Sequence, residues 1–298
     1  MKILIIKHGA LGDIILAAAA FGAIKAAHAL DDITLMTTLP FAGFLSASPW
    51  FDHIITDTRP DFWNIPGIMK LRQQLRGFDM VYDLQTSSRS SRYFELAGKP
   101  RWSGVVAGCA LPHADPQRDF IHTRERLAGQ LAAAGIDQLP PPDFSWAKAD
   151  ISRFMLPARF ALLVPGAAPH RPEKRWPEAK FAALAAQLPM PVVVVGSKFE
   201  TPLAATIRSF APLAIDLTGQ TNLSELLSVI SRASLAVGND TGPMHMAAAL
   251  GVTSLVMFSA ASDPKLTAPR YPDGGWPIIL QAPHLAGLSV AQIVAALP

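Results

Sequence analysis

Cysteine is almost missing from this sequence: Cys109 is the only one among 298 residues. That leaves no intrachain disulfide framework and no multi-cysteine metal site. Charge is thin as well. Charged residues make up 16%, and 26 basic residues barely exceed 23 acidic ones, for a formal charge of +3. No Lys/Arg block of the kind that grips nucleic acid nonspecifically occurs, so a nucleic-acid partner is not expected. No apolar run has the length of a bilayer span. Residues 14–29, with Lys2 and Lys7 ahead of them, imitate a secretion signal. Asp13 and Lys25 bracket that run, however, and residues 3–6 read as a strand, so a cleaved signal is not expected and the cytoplasm is the simplest compartment. Also absent are a Gly-x-Ser-x-Gly nucleophile elbow and any His/Glu spacing suited to a metal.

What is plentiful is apolar side chain, 50% of the residues with a mean hydropathy of +0.26. The length suits one large domain or two ordinary ones. Short β-rich runs alternate with helix-like segments: strands are expected at 2–7, 33–37, 53–55, 80–84 and 102–106, with helices at 14–30 and 123–134. Leu139-Pro-Pro-Pro142 interrupts regular structure. The alternation then restarts, with strands at 160–164, 192–195, 213–217, 235–237, 254–257 and 277–280. Helices are expected at 177–188, 202–210, 223–231 and 243–250. Repeated βα units favour parallel sheets covered on both faces. The expectation is an α/β fold of two Rossmann-like domains, residues 1–155 and 156–298, with a cleft between them. A short last helix at 289–297 would close the second domain or cross the cleft.

Chemistry gathers in the loops that follow strands. Val237-Gly-Asn-Asp-Thr-Gly-Pro-Met-His245 reads as strand, tight loop and helix start. Gly238 and Gly242 allow close approaches, Pro243 suits the first helical position, and Asp240 and Thr241 can cap backbone N–H groups. N–H groups left over would make an anion site near His245. A plain capped helix is the competing reading. His8-Gly-Ala-Leu-Gly-Asp13 matches neither a dinucleotide fingerprint nor a P-loop. Gly9 and Gly12 instead let a ligand approach the backbone, and Asp13 is either a general base or merely a helix cap.

Three further segments join them. Pro165 to Pro177 carries His170, Arg171, Lys174 and Arg175, from which a cation can reach phosphate, unless the turn is simply a basic surface. Gln85-Thr-Ser-Ser-Arg-Ser-Ser-Arg92 brings Arg89 and Arg92 to a sheet edge as phosphate or acceptor contacts, or is a solvated loop and cap. Glu200 can accept hydrogen bonds from a ribose diol or serve the helix dipole.

Taken together, His8-Gly-Ala-Leu-Gly-Asp13, Tyr82-Asp-Leu-Gln85, Glu173-Lys-Arg-Trp-Pro177 and Gly238-Asn-Asp-Thr-Gly-Pro-Met-His245 resemble the heptosyltransferase family of glycosyltransferases, bacterial enzymes of lipopolysaccharide core assembly. The resemblance implies a GT-B fold, with an N-terminal acceptor domain and a C-terminal nucleotide-sugar domain facing across a cleft. It also implies an inverting transfer without cofactor or metal. ADP-L-glycero-D-manno-heptose would be the donor and an anionic glycolipid, Kdo-bearing lipid A or an inner-core heptose, the acceptor. Peripheral contact with the inner membrane would follow. Carried over by motif, Asp13 is the base and Lys174 the cation that meets the leaving diphosphate. Asp240, Thr241, Gly242 and His245 hold the donor, and Glu200 its ribose. Two departures stand out: Ala167-Ala-Pro-His170 lacks the hydroxyls common before the lysine, and Ala17-Ala-Ala-Ala20 lacks the early proline of the first helix. A nucleotide-sugar epimerase or hydrolase, and a noncatalytic nucleotide-sugar-binding protein, are the alternative readings.

Overall fold

The computed structural model describes residues 1–168 and 170–298; Pro169 lies outside the described residues. The chain forms two compact units, Met1–Trp146 and Ala147–Pro298.

In the first unit β1 (Lys2–Ile6) leads into α1 (Leu11–Ala27), then β2 (Asp32–Thr37), α2 (Leu39–Leu45) and β3 (His53–Thr56). It continues with α3 (Ile65–Leu75), β4 (Met80–Asp83), α4 (Ser88–Ala97), β5 (Arg101–Gly104), the two-residue β6 (Leu111–Pro112) and α5 (Thr123–Ala132). All six strands are parallel, in the order β3-β2-β1-β4-β5-β6. The buried helix α1 starts three residues earlier than its apolar run suggests, at Leu11 rather than Ile14. Its alanines 17–20 are buried, as expected of a helix that is apolar nearly all round. The segment 85–92 is not a free polar loop: most of it is the first turns of α4, capped by Ser87, whose side chain accepts from Ser90 N at 3.1 Å.

The second unit runs β7 (Ala161–Val164), α6 (Glu178–Ala185), β8 (Val192–Val194), α7 (Thr201–Phe210), β9 (Ile215–Asp216) and α8 (Leu223–Ser231). It ends with β10 (Leu235–Asn239), α9 (Gly242–Ala249), β11 (Ser254–Phe258), α10 (Pro264–Thr267), β12 (Ile278–Gln281) and α11 (Val290–Ala296). Its six parallel strands lie in the order β12-β11-β10-β7-β8-β9, which counted from β7 repeats the order of the first sheet. One face of this sheet packs Leu163, Val194, Val237 and Leu255 against Trp176 and Phe181. Ile293 of α11 is fully buried in the same core, so the last helix closes this unit. No helix among the described residues is long and apolar enough to cross a membrane.

Both sheets reverse direction at one point, between β1 and β4 and between β7 and β10. Doubly wound sheets bind ligands at such switch points, outside the carboxyl ends of the strands. In the first unit this brings residues 7–13 beside residues 84–86, because Ile6 pairs with Asp83. In the second it brings residues 165–176 beside residues 239–242, because Gly238 pairs with Val164.

Candidate active site

At the second switch point the strands are stitched together by Asn239. Its side-chain amide donates to Pro165 O at 2.8 Å and to Gly166 O at 3.2 Å, and its Oδ1 accepts from Trp176 N at 3.0 Å. Trp176 is buried and donates its indole N–H to Leu288 O at 3.1 Å. The short turn Pro172–Lys174 just before it is thereby fixed, and Lys174 Nζ donates to Asp240 Oδ2 at 2.6 Å. Ser262 Oγ donates to the same oxygen at 2.7 Å, and the His245 ring lies 3.7 Å from the other, an ion-pair distance too long for a hydrogen bond. Burial pushes the Asp240 carboxyl up, but the His245 ring and the Lys174 ammonium outweigh it and bring it down to about 2.

Helix α9 begins here. Thr241 is its N-cap residue, yet neither its hydroxyl nor the Asp240 carboxylate caps a backbone N–H, contrary to the sequence expectation. Asp240 is drawn away by Lys174 and Ser262, and Gly242 takes the first helical position, with Pro243 second. Thr241 Oγ1 and His245 Nδ1 are buried and have no hydrogen-bond partner among the described residues. Both atoms lie beside the start of α9, where their hydrogen-bonding capacity is open to a polar ligand.

Next to them, within the same unit, is a cavity of about 250 Å³ lined by Gly166, Ala167, Gly196, Ser197, Glu200 and Thr241 among others. Glu200 is buried at its wall. Its Oε2 accepts from Ser197 N at 2.8 Å and Ser197 Oγ at 2.6 Å, so it does close a capping box, and Oε1 is turned towards Gly166. A Cβ on Gly166 would stand 2.7 Å from Glu200 Cγ, so the glycine is what gives Glu200 its place. Arg171 is occupied, donating to Ala261 O at 2.6 Å and pairing with Glu173. Arg175 donates to Ala167 O, and His170 stands exposed in the turn.

At the first switch point Asp13 occupies the third position of α1 and accepts from Ala10 N at 2.9 Å. The capping role is therefore real, and the half-buried carboxylate also lines a cavity of about 130 Å³ with Lys7, Gln85, Thr86, Arg118 and Arg126. Lys7 is buried and donates to Leu84 O at 3.2 Å. Burial lowers its ammonium pKa, while the charges of Asp13 and Asp83 pull the other way. The glycine turn is held at its first residue: His8 N donates to Gln85 Oε1 at 2.9 Å, and Thr38 Oγ1 donates to His8 O at 2.8 Å. Gly9, with φ +120, rests against the Phe41 ring, leaving no room for a side chain, and Gly12 is buried in α1. Behind the turn, His8 Nε2 is 3.0 Å from Asp57 Oδ2, though not aligned for a hydrogen bond, and Tyr93 OH donates to that oxygen at 2.6 Å.

Arg89 and Arg92 do not join this cavity. Both are exposed on α4, and Arg89 donates to Pro60 O at 3.3 Å. Arg118 and Arg126 take the place expected of them, and Arg118 donates to Thr86 Oγ1 at 2.8 Å. Ser262 belongs to the post-strand loop 259–263, which the sequence offers only as a weak source of hydrogen bonds to a base or sugar, whereas Arg118 and Arg126 are site residues that sequence reasoning missed. They lie far along the chain from any glycine turn.

Residues 68–274 match the family model "Glycosyltransferase family 9 (heptosyltransferase)". The chain is 34% identical over 106 residues to lipooligosaccharide heptosyltransferase 2 of Haemophilus influenzae, an alignment covering 33% of this chain and 30% of that protein. It is 25% identical to the protein of the same name from Haemophilus ducreyi, over 90% of this chain and 86% of the relative. In fold it is similar to Escherichia coli heptosyltransferase WaaC, solved with ADP-2-deoxy-2-fluoro heptose. The TM-score is 0.77 at 20% identity, covering 99% of this chain and 98% of that one. A match over more than half the length, on a doubled Rossmann-type fold, gives the conclusion that the chain belongs to glycosyltransferase family 9 (heptosyltransferase).

Proposed function

We propose that this glycosyltransferase moves heptose from ADP-L-glycero-D-manno-heptose to a Kdo-bearing or heptose-bearing lipopolysaccharide acceptor, working at the cytoplasmic face of the inner membrane. The observation that carries the donor half is the pair Lys174–Asp240, 2.6 Å apart, beside the unpartnered Thr241 Oγ1 and His245 Nδ1 at the start of α9. Backbone N–H groups at that helix start and the Lys174 ammonium suit a diphosphate, and Gly242 lets it come close. Asp240, held as an anion, would orient Lys174 and accept from sugar hydroxyls. Glu200 Oε1, at the wall of the neighbouring cavity, would accept from the ribose diol. The curated relatives aligned over 80–86% of their length are named as lipopolysaccharide or lipooligosaccharide heptosyltransferases, and the WaaC structure holds an ADP-heptose analogue, which supports this donor.

In the reaction, an acceptor hydroxyl oxygen attacks the anomeric carbon from the face opposite the diphosphate. The new C–O bond forms as the bond to the β-phosphate oxygen breaks, and ADP carries away the electron pair. Asp13 takes the hydroxyl proton, and the configuration inverts. Lys174 meets charge that grows on the leaving oxygen, the point at which a preorganised cation lowers the barrier. Lys7, Arg118 and Arg126 around Asp13 would hold the carboxylate or phosphate of an anionic acceptor.

The test supplies the purified protein with this donor and a panel of Kdo–lipid A and inner-core acceptors, following ADP release and product mass. Acceptor-dependent ADP and a product heavier by one heptose are expected. ADP or an altered sugar formed without acceptor would instead mark a hydrolase or epimerase. Tight nucleotide binding without turnover would mark a noncatalytic binding protein. Asp13→Ala should abolish turnover and spare donor binding, and near-normal turnover would remove Asp13 as the base.

A further inference from the structure

Residues 59–76 hold four large apolar side chains in solvent: Phe62 is 76% exposed, Trp63 85%, Ile65 68% and Met69 66%. They are not loosely held. The Phe62 and Trp63 rings meet edge to face with centroids 5.3 Å apart. Asn64 N donates to Asp61 O, its side chain caps α3 by accepting from Gly67 N at 3.0 Å, and Arg89 grips Pro60 O. On α3 the core-facing side is Leu71 and Leu75, while Ile65 and Met69, one turn apart, share the opposite side with Arg72.

The rim is basic. Arg59, Lys70, Arg72 and Arg76 are all exposed, against Asp61 as the one acid in the segment. Rings and alkyl chains that enter a headgroup boundary, beside cations that meet its phosphates, make an interfacial contact. A second copy of this chain would bring the same positive rim against itself. We propose that this patch docks the protein onto an anionic lipid bilayer.

Its place in the fold gives the contact a use. Residues 57–64 leave the C-terminal end of β3, on the same edge of the parallel sheet from which residues 7–13 leave β1. Asp57, at the base of the loop, lies 3.0 Å from the His8 ring, at the start of the turn that carries Asp13. A bilayer on the patch therefore lies along the edge that holds the proposed base. That use rests on the glycolipid acceptor proposed above, whereas the docking is measured without any transfer.

The full chain is floated with vesicles of phosphatidylethanolamine and phosphatidylglycerol, and separately with phosphatidylcholine vesicles, at about 0.1 M salt. Binding to the anionic vesicles alone is expected. Phe62→Ser with Trp63→Ser, and separately Lys70→Glu with Arg72→Glu, should each lower the bound fraction about tenfold. Leu213→Ser, at an exposed apolar residue of the other unit, should leave it unchanged. The Phe62/Trp63 variant should also turn over a water-soluble, lipid-free acceptor like the parent. No binding by the parent, or binding that survives both double variants, overturns the proposal. So does a solution dimer that the Phe62/Trp63 variant splits, since the patch would then serve self-association. Vesicle binding without heptose transfer would sink the functional reading alone.

Discussion

Burial acts on Asp83 and Asp240 in the same direction, and their partners decide different outcomes. At Asp83, fully buried, hydrogen bonds from Gln85 N and Thr86 N do not offset desolvation, and the carboxyl is pushed up to about 6. At Asp240 the His245 ring and Lys174 outweigh desolvation and hold it at about 2. The two therefore oppose each other in pH dependence. Asp240, depressed, adds stability that is complete above about pH 4 and lost as pH falls through about 2, a loss of roughly 2 kcal/mol. Asp83, raised, binds its proton in the native state while the unfolded chain has released it, so stability falls as pH rises from about 4 to about 6, by roughly 3 kcal/mol. Asp83→Asn should consequently gain on the parent between pH 4.5 and pH 7 in urea midpoints, and an equal offset at both would show that Asp83 does not titrate in that window. Lys174→Ala tests the other carboxylate's partner: kcat should fall by about 10² or more, as when one transition-state donor is removed. A change confined to KM would show a cation that only binds the ground state. Asp13, Lys174, Asp240 and His245 were legible because each lies within a few residues of a glycine or proline at a strand end. Arg118 and Arg126 were not, since only the docking of residues 118–126 against Leu84 and Thr86 brings them to Asp13.

Among the elements, strand centres were the easiest to read. Continuous runs such as Val192–Val194 and residues 235–238 are buried on both faces of a parallel sheet and carry no polar interruption. The helix beginning at Ser88 was harder: its serines and arginines suit a loop as well as an exposed helix, and the deciding contacts, Tyr93 and Phe94 buried against the sheet, are long-range. The expected cap fails at Asp240, where Lys174 competes, while Asn222, with no such partner, caps its helix by accepting from Glu225 N at 2.9 Å. The glycine next to the last residue of β10 is the sharpest test of element packing. A Cβ on Gly238 would stand 2.7 Å from Val164 Cβ and 2.8 Å from Met244 Sδ, pressed against the neighbouring strand and α9 at once. Gly238→Ala should therefore cost about 1–3 kcal/mol and weaken nucleotide binding as α9 moves. Urea midpoints and ADP titration measure the two effects, and an unchanged midpoint would mean that the strand and helix give way freely.

The doubled architecture follows from the restart of βα alternation after the prolines 140–142, and the break between the units lies within the irregular sequence beyond them. Phe144 and Trp146, beyond the prolines, pack with Trp50 at ring-centroid distances of 6.1 and 5.4 Å, and Trp146 also meets Phe44 at 5.0 Å. This aromatic cluster keeps residues 143–146 with the first unit, ahead of the expected division at 155 and 156. From Ala147 onward the chain is tied to the second: Ala149 N donates to Ser228 Oγ, and Arg153 pairs with Glu225 at 2.9 Å. The second unit thus has its own six-stranded sheet, its own core and Glu200, Lys174, Asp240 and His245 together, while Asp13 belongs to the first. Residues 147–298 expressed alone should unfold in one cooperative urea transition and bind ADP within about tenfold of the full chain, a difference of about 1.4 kcal/mol. They should transfer nothing, even at saturating donor and acceptor. Titration calorimetry on the fragment decides the matter: loss of ADP binding by a well-folded fragment would mean that residues 1–146 supply part of the nucleotide site.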